Sequence, residues 1–259
     1  MREKVIPYQY QVLEDKLEGV EKSHALENLR LAAQKNRGET FPGSFTAWCS
    51  KTATWPNGWR RPLFLGQCPN PALEREVDSV VELLAQVQQE DGYLNSYFTV
   101  KEPDRRWTNL QEAHELYCAG HLMEAACAYY EATGKDRFLK IMEKTGTAST
   151  AALWRCAPGA SPATRRSSWP DAPVPGHGQR EVQGALRPLH RRAGPGAQLF
   201  HRGAKTRGWN VWGNDSLDTD YTQSTKPVRE QEDAVGHAVR ACTCTPAWRT
   251  WPRSPGTRA

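Results

Sequence analysis

Three segments of the chain, at 45–64, 145–204 and 242–259, contain almost no acidic residues. Together they hold 98 of the 259 residues but only two acids, Asp171 and Glu181, so they carry a net charge of +12 against −7 for the remainder. Thirteen of their fourteen basic residues are Arg, and seven of the ten tryptophans lie in them. They show neither a period of 2 or 3.6 residues nor capping signals, so regular structure is expected from the other 161 residues.

One interpretation of these segments is a set of basic loops that bind nucleic acid. Such loops usually mix Lys with Arg and alternate with structured elements, whereas only one Lys, Lys51, occurs here. The overall charge of +5 is therefore a poor indication of a nucleic-acid partner, and we expect none. A non-catalytic basic binding module remains the alternative.

The composition of the three segments is typical of a GC-rich gene translated in a shifted frame. With a one-base shift and free choice of synonymous codons, 45–64 can read HGMVFQDSDVAKWLEAAAF and 183–200 can read KALSALFIDERGPEPNYF. In the same way 242–252 can read MYMYSGMADVA, and each string joins its flanks smoothly. We therefore interpret 45–64, 145–204 and 242–259 as out-of-frame sequence within a single unit, 1–259.

The acid-containing parts have the periodicity of amphipathic helices. Residues 73–89 place five apolar side chains on one face, and Asp91-Gly92 ends that helix with a turn. The five are Val77, Val80, Val81, Leu84 and Val87. A second helix is predicted over 109–133, with Asn109 as N-cap and Gly134 at its end.

A third helix is predicted to start over 136–143, after a short connection. The first 35 residues also read as helical after Pro7, with Leu13, Leu17 and Val20 on one side. Helices joined by short connections, with no convincing strand, predict an all-α array.

The location of the protein is inferred from three features of the sequence. No run of 18 apolar residues occurs, so no membrane-spanning helix is expected. The N-terminus lacks the apolar stretch of a signal peptide, and seven irregularly spaced cysteines favour reduced thiols. We expect a cytoplasmic protein. The sequence leaves its oligomeric state open.

Residues 208–241 differ in character, because Asn, Asp, Ser and Thr dominate them as far as Thr225. Trp209, Trp212 and Tyr221 beside dense polar groups suit a sugar site, in which rings stack on the apolar face of the sugar. An ordinary loop with many side-chain-to-backbone hydrogen bonds explains the same composition.

Several strings together resemble the N-terminal part of glycoside hydrolase family 127, whose founding activity is β-L-arabinofuranosidase. They are VIPYQYQVLEDKLEG, SHALENLRLAA, QQEDGYLNSYFTV, HELYCAGHLMEAACAYYEATGK and PVREQEDAVGHAVRA. The strings restored by the frame shift resemble the family at the same places in the order. As written, the resemblance covers about 160 residues.

The resemblance implies an (α/α)6 barrel catalytic domain followed by β-sandwich domains. The fold expected here is therefore an incomplete all-α barrel without the β-sandwich domains. The family hydrolyses arabinofuranosides with retention through a zinc-bound cysteine nucleophile and a glutamate acid/base. No G-E-x-C motif, which supplies the family's metal ligands, occurs in this sequence. We expect no catalytic residue, no metal ligand and no bound zinc in this chain, which should then be inactive.

The cysteines of the sequence do not substitute for those ligands. Cys242 and Cys244 lie in a segment interpreted as out of frame, and Cys118 and Cys127 are expected to pack inside a helix.

Two histidines match family positions that face the barrel cavity, namely His114 and His237. An imidazole can donate to or accept from a sugar hydroxyl, so both are candidate substrate-binding residues. Alternatively, each satisfies a buried helix contact. A metal site made of His114, His121 and Glu124 is geometrically awkward, because the three span more than two helical turns.

The expected partner is an arabinofuranose-containing oligosaccharide, cleaved by the intact parent enzyme. A different sugar-active enzyme on the same barrel, an epimerase or an unsaturated-glycoside hydrolase, is the alternative from another class.

Overall fold

The computed structural model describes residues 4–40, 45, 46, 49, 52, 71–110, 112–156, 208–211, 232 and 233. Within these residues the chain forms helices and no strand, which confirms the all-α prediction for this part. The helices are α1 Val5–Leu13, α2 Ala25–Asn36, α3 Pro71–Val87, α4 Ser96–Val100, α5 Glu115–Thr133 and α6 Arg137–Cys156, with a 3₁₀ turn at Pro103–Arg105. No helix in this part of the chain is long and apolar enough to cross a membrane.

Helix α3 matches its sequence pattern closely. All five side chains predicted for its apolar face, Val77, Val80, Val81, Leu84 and Val87, are at most 2% exposed. They pack in the main core with residues of α2, α5 and α6, such as Leu29, Leu122 and Phe138. Burial of this face stabilises the helix more than its intrinsic propensity does.

The N-terminal region is helical, as predicted, but it forms two helices with a connection between them where the sequence suggested one continuous face. Helix α1 ends at Leu13, and the chain turns at Asp15, whose φ is 57°. The Asp15 carboxylate accepts hydrogen bonds from the amides of Ser23, at 2.6 Å, and His24, at 3.0 Å, which fixes the entry to α2. Leu13 is buried, but Leu17 and Val20 lie in the connection, where Val20 is 39% exposed.

Helix α5 begins at Glu115, six residues after the predicted N-cap. Asn109 instead caps a separate turn, in which its side-chain oxygen accepts from the amide of Glu112 at 3.1 Å. The prediction was wrong here because an asparagine caps a short turn as readily as a helix. The end is confirmed, since Gly134 follows the helix with a φ of 72°.

Helix α6 starts at the predicted place but continues to Cys156, twelve residues into the acid-poor segment 145–204. Thr145, Ser149 and Ala152 are each at most 1% exposed, and their spacing places them on one helical face. The hydroxyls of Thr145 and Ser149 bond carbonyl oxygens one turn earlier, at 3.3 and 2.7 Å. The frame-shift interpretation stays a prediction for all three segments, 45–64, 145–204 and 242–259, because a helical backbone at 145–156 does not identify the reading frame. Residues 157–204 and 242–259 lie outside the described residues.

The α5–α6 hairpin is tied to α3 by ion pairs at its turn. Lys135 contacts Glu74 at 2.6 Å and Asp78 at 2.7 Å, and Arg137 contacts Glu82 at 3.0 Å. The three acids are four residues apart and form a row along α3. These pairs are exposed, so they orient the hairpin and add little stability.

Candidate functional site

The candidate functional site is a group of hydrogen-bonded polar residues at the N-terminal end of α5. A second group of buried residues forms the floor there, including Tyr93, Phe98, Trp107 and Leu116. Four segments contact one another there, namely the turn that follows α3, the 3₁₀ turn, the described residues of 106–110 and 112–114, and the short segment 208–211.

Glu115, the first residue of α5, is the centre of this region. Its side chain is buried, with the residue 3% exposed. Its carboxylate accepts from the Tyr93 hydroxyl at 2.6 Å and from the Trp107 amide, which lies 3.0 Å from both oxygens. Burial raises the pKa of Glu115 to about 7, against the opposing effect of the hydrogen bonds from Tyr93 and Trp107. The carboxyl group can therefore change its charge near neutral pH.

Tyr93 and Trp107 hold each other in place beside this carboxylate. Their rings meet edge to face with centroids 5.1 Å apart, and Trp107 adopts a left-handed backbone with a φ of 63°. Burial, and then the negative charge of Glu115, raise the pKa of Tyr93 well above its ordinary value, so its hydroxyl stays protonated. The Arg106 guanidinium lies 3.9 Å above the Tyr93 ring and contacts Asp91 at 2.5 Å.

The loop 109–114 is closed by a second carboxylate, that of Glu112. One of its oxygens accepts from the Asn109 side-chain amide at 3.0 Å and from the Val211 amide at 2.9 Å. The Trp209 indole donates to the Thr108 hydroxyl at 3.0 Å. A segment about 100 residues further along the chain therefore forms part of the site.

His114 lies between this loop and α5 in a left-handed conformation, with a φ of 57°. Its Nδ1 is 2.5 Å from the Glu112 carbonyl oxygen. A carbonyl can only accept, so Nδ1 carries the hydrogen and Nε2 is the accepting nitrogen of the neutral ring. The Tyr117 ring packs edge-on against His114 at 5.5 Å and against His121 at 4.3 Å. The other predicted histidine, His237, lies outside the described residues, as do Trp212 and Tyr221.

Cys118 and Cys127 are buried packing residues, as predicted. Cys118 is fully buried, with its sulfur 3.6 Å from the Cys49 carbonyl oxygen. Cys127 is 6% exposed, and burial raises its pKa to about 11, which keeps the thiol protonated and unreactive. Cys242 and Cys244 lie outside the described residues.

Nothing in the described region fits a zinc ion. Across 4–40, 71–110, 112–156 and the shorter described stretches, no three His, Cys, Asp or Glu side chains are placed to hold a metal. His114, His121 and Glu124 accordingly do not form such a set.

The sequence analysis named His114 as a candidate but did not name the side chains that surround it, Glu115, Glu112 and Tyr93. The available signal was an acid followed directly by apolar residues, as in HELY, at a position that the helical pattern places toward the core. A buried carboxylate requires hydrogen-bond donors, and here a backbone amide and a tyrosine supply them.

Comparison with known proteins agrees with the sequence resemblance. Residues 2–251 match the family model described as β-L-arabinofuranosidase, GH127 catalytic domain. The chain is 29% identical over 277 aligned positions to the non-reducing end β-L-arabinofuranosidase of Bifidobacterium longum subsp. longum, covering 92% of this chain and 39% of that protein.

Two solved structures are also similar to this chain. One is a GH127 β-L-arabinofuranosidase from Geobacillus stearothermophilus, with a TM-score of 0.74, 34% identity, and coverage of 95% of this chain and 39% of that one. The second is a GH127 β-arabinofuranosidase, with a TM-score of 0.58, 27% identity and coverage of 95% and 36%.

These matches place the chain among the glycoside hydrolases. It belongs to glycoside hydrolase family 127, as its motifs indicated. The chain spans about two fifths of the length of these relatives, 36–39%.

Proposed function

We propose that this chain is the N-terminal part of an (α/α)6 barrel catalytic domain, and that its intact parent hydrolyses β-L-arabinofuranosides with retention. The match of residues 2–251 to the family is the observation that carries the proposal. The antiparallel hairpin α5–α6 packed on α3, with α2 beside it, agrees with one sector of such a barrel.

In this proposal His114 contacts the sugar. Its Nδ1–H is committed to the Glu112 carbonyl, so Nε2 can accept a hydrogen bond from a hydroxyl of the arabinofuranose. The turn of Asn109 and Glu112 holds the ring before the sugar arrives, which lowers the entropic cost of binding. His237 would supply a second contact from the 227–241 stretch.

The bond-breaking groups are proposed to lie outside this sequence. In the intact enzyme, a cysteine held by zinc would be deprotonated and would serve as the nucleophile, and a glutamate would serve as the acid/base. The residues of this chain bind and orient the sugar, so the chain alone should be inactive. Release of nitrophenol from p-nitrophenyl β-L-arabinofuranoside by the purified chain with Zn²⁺ would contradict that expectation.

Binding of the sugar can be measured on the full 259-residue chain without turnover. Ligand-observed NMR with methyl β-L-arabinofuranoside should show binding, and the α-anomer should bind more weakly. His114→Ala should weaken binding about threefold to tenfold, the effect of losing one hydrogen bond.

His24→Ala is the matched control, because His24 also has a left-handed backbone directly before a helix, α2, with a φ of 53°. We expect it to leave sugar binding unchanged. An equal loss of sugar affinity in both variants would show that His114 has no specific role in binding. Absence of any binding by the wild type would contradict the sugar site itself.

The two alternative functions now have less support. Membership of family 127 favours glycoside hydrolysis over an epimerase or an unsaturated-glycoside hydrolase. A basic binding module would show nucleic-acid affinity that falls steeply with salt, and we expect no such binding.

A further inference from the structure

We infer that Glu115 is a positioning residue for His114, acting through its hold on the Trp107 amide. This inference rests on the proposed function in so far as His114 is the sugar contact. The hold itself is a property of the chain without sugar, so it can be tested separately.

The first step of the argument is that Glu115 closes the loop carrying His114. The loop leaves the floor of the site at Trp107 and returns to it at the first turn of α5. Because the Trp107 amide donates to both oxygens of Glu115, the two ends of the loop are joined by one side chain. The Tyr93 hydroxyl, at 2.6 Å, fixes the rotation of that carboxylate.

The second step follows the loop inward from this closure. The Ala113 amide donates to the Asn109 carbonyl at 3.1 Å, and the Glu112 amide donates to the Asn109 side chain at 3.1 Å. These bonds aim the Glu112 carbonyl at Nδ1 of His114. If the ends of the loop separate, the hydrogen bonds of this turn are no longer held in place. The His114 ring then loses the Glu112 carbonyl, which is the partner that sets its tautomer.

The third step is that the left-handed backbones of Trp107 and His114 cost free energy for residues with a side chain. Such conformations persist only where surrounding contacts over-determine them. Glu115 supplies such a contact at Trp107, since its carboxylate accepts from the Trp107 amide, and the Glu112 carbonyl supplies one at His114.

The experiment measures the tautomer of His114 in the full chain by ¹⁵N NMR of labelled histidine at pH 8, with His114→Asn used to assign the signal. In the wild type we expect Nδ1–H, whereas a solvent-exposed neutral histidine favours Nε2–H. Glu115→Gln should keep Nδ1–H, because the amide oxygen still reaches Trp107 and the amide group can donate to the Tyr93 oxygen.

Glu115→Asp should shift His114 toward Nε2–H, because the shorter side chain keeps its charge but loses its reach. If Glu115 acted only through its charge, the result would be reversed. Glu115→Asp would then keep the Nδ1–H tautomer of His114, and Glu115→Gln would lose it. Either the reverse order or an unchanged tautomer in both variants would overturn the inference. Glu131→Gln and Glu131→Asp, at an exposed position of the same helix, are the matched controls and should change nothing.

A second measurement does not depend on whether the Asp variant folds. The Trp107 amide, observed with ¹⁵N-labelled tryptophan and assigned with Trp107→Phe, should exchange slowly with solvent in the wild type and in Glu115→Gln. Exchange at the rate of an unprotected amide in the folded wild type would show that Glu115 does not hold the loop.

Discussion

Gly92 lies directly against the carbonyl of Lys144, so closely that a Cβ on Gly92 would be 2.5 Å from that oxygen and 2.9 Å from its carbon. Gly92 also has a φ of 85°, in the left-handed region. The turn after α3 and the middle of α6 thus approach each other backbone to backbone. Gln88 reinforces the approach through bonds to the Ile141 carbonyl and the Thr145 hydroxyl, at 2.7 and 2.9 Å.

Gly92→Ala should therefore destabilise the chain by about 2–4 kcal/mol, combining the cost of the backbone with that of forcing α3 and α6 apart. Gly134→Ala is the matched control, since Gly134 has a φ of 72° but no atom within 4 Å of the place that a Cβ would take. It should cost about 1 kcal/mol. Urea unfolding of both variants checks the difference, and equal costs would refute the close approach.

The raised pKa of Glu115 gives a stability that depends on pH. The folded pKa is about 7 and the ordinary value 4.5, so between these values the unfolded chain loses the proton first. The wild type should then lose stability, relative to Glu115→Gln, as the pH rises from about 5 to 7. The full difference is on the order of 3 kcal/mol.

Urea unfolding at several pH values from 5 to 8 measures this difference. Glu131→Gln, on the exposed side of α5, should show no comparable trend against the wild type. If the wild type instead gained stability relative to Glu115→Gln as the pH rose from 5 to 8, Glu115 would not be buried with a raised pKa.

The buried thiols of Cys118 and Cys127 should resist alkylation in the folded chain. Burial keeps both sulfurs from the reagent, and the pKa of Cys127, raised to about 11, leaves little thiolate at pH 8. Mass spectrometry after brief iodoacetamide treatment should find both unmodified, while treatment in urea should modify them. Rapid labelling of Cys118 without denaturant would contradict its place in the core.

The frame-shift interpretation predicts particular bases in the gene. Resequencing from codon 35 onward should reveal single-base corrections that restore HGMVFQDSD near 45–64 and FIDERG near 183–200. It should also reveal a Glu-x-Cys string beyond codon 259. Unchanged bases would leave the three acid-poor segments as the true sequence of the product.

The predictions that succeeded were those decided by local patterns. A five-residue apolar face locates α3 because a helix with one such face must bury it, and Gly134 ends α5 because its backbone is left-handed. Pattern alone could not show that Asn109 caps a turn, since an asparagine caps a short turn as readily as a helix. The role of Glu115 could not be predicted either, because it accepts a hydrogen bond from the backbone amide of Trp107. Every residue except proline has a backbone amide, so such a donor leaves no pattern in the sequence.

The contact between the Val211 amide and Glu112 has a consequence for the order of events during synthesis. Helices α5 and α6 are neighbours in the chain, so the contacts between them can form earlier than contacts between distant segments. The bond to Glu112 joins residues 99 positions apart and must wait for the chain to be made through Val211. A nascent chain stalled before that point would have the helices on either side of the Glu112 loop but would lack the 208–211 segment that bonds to it.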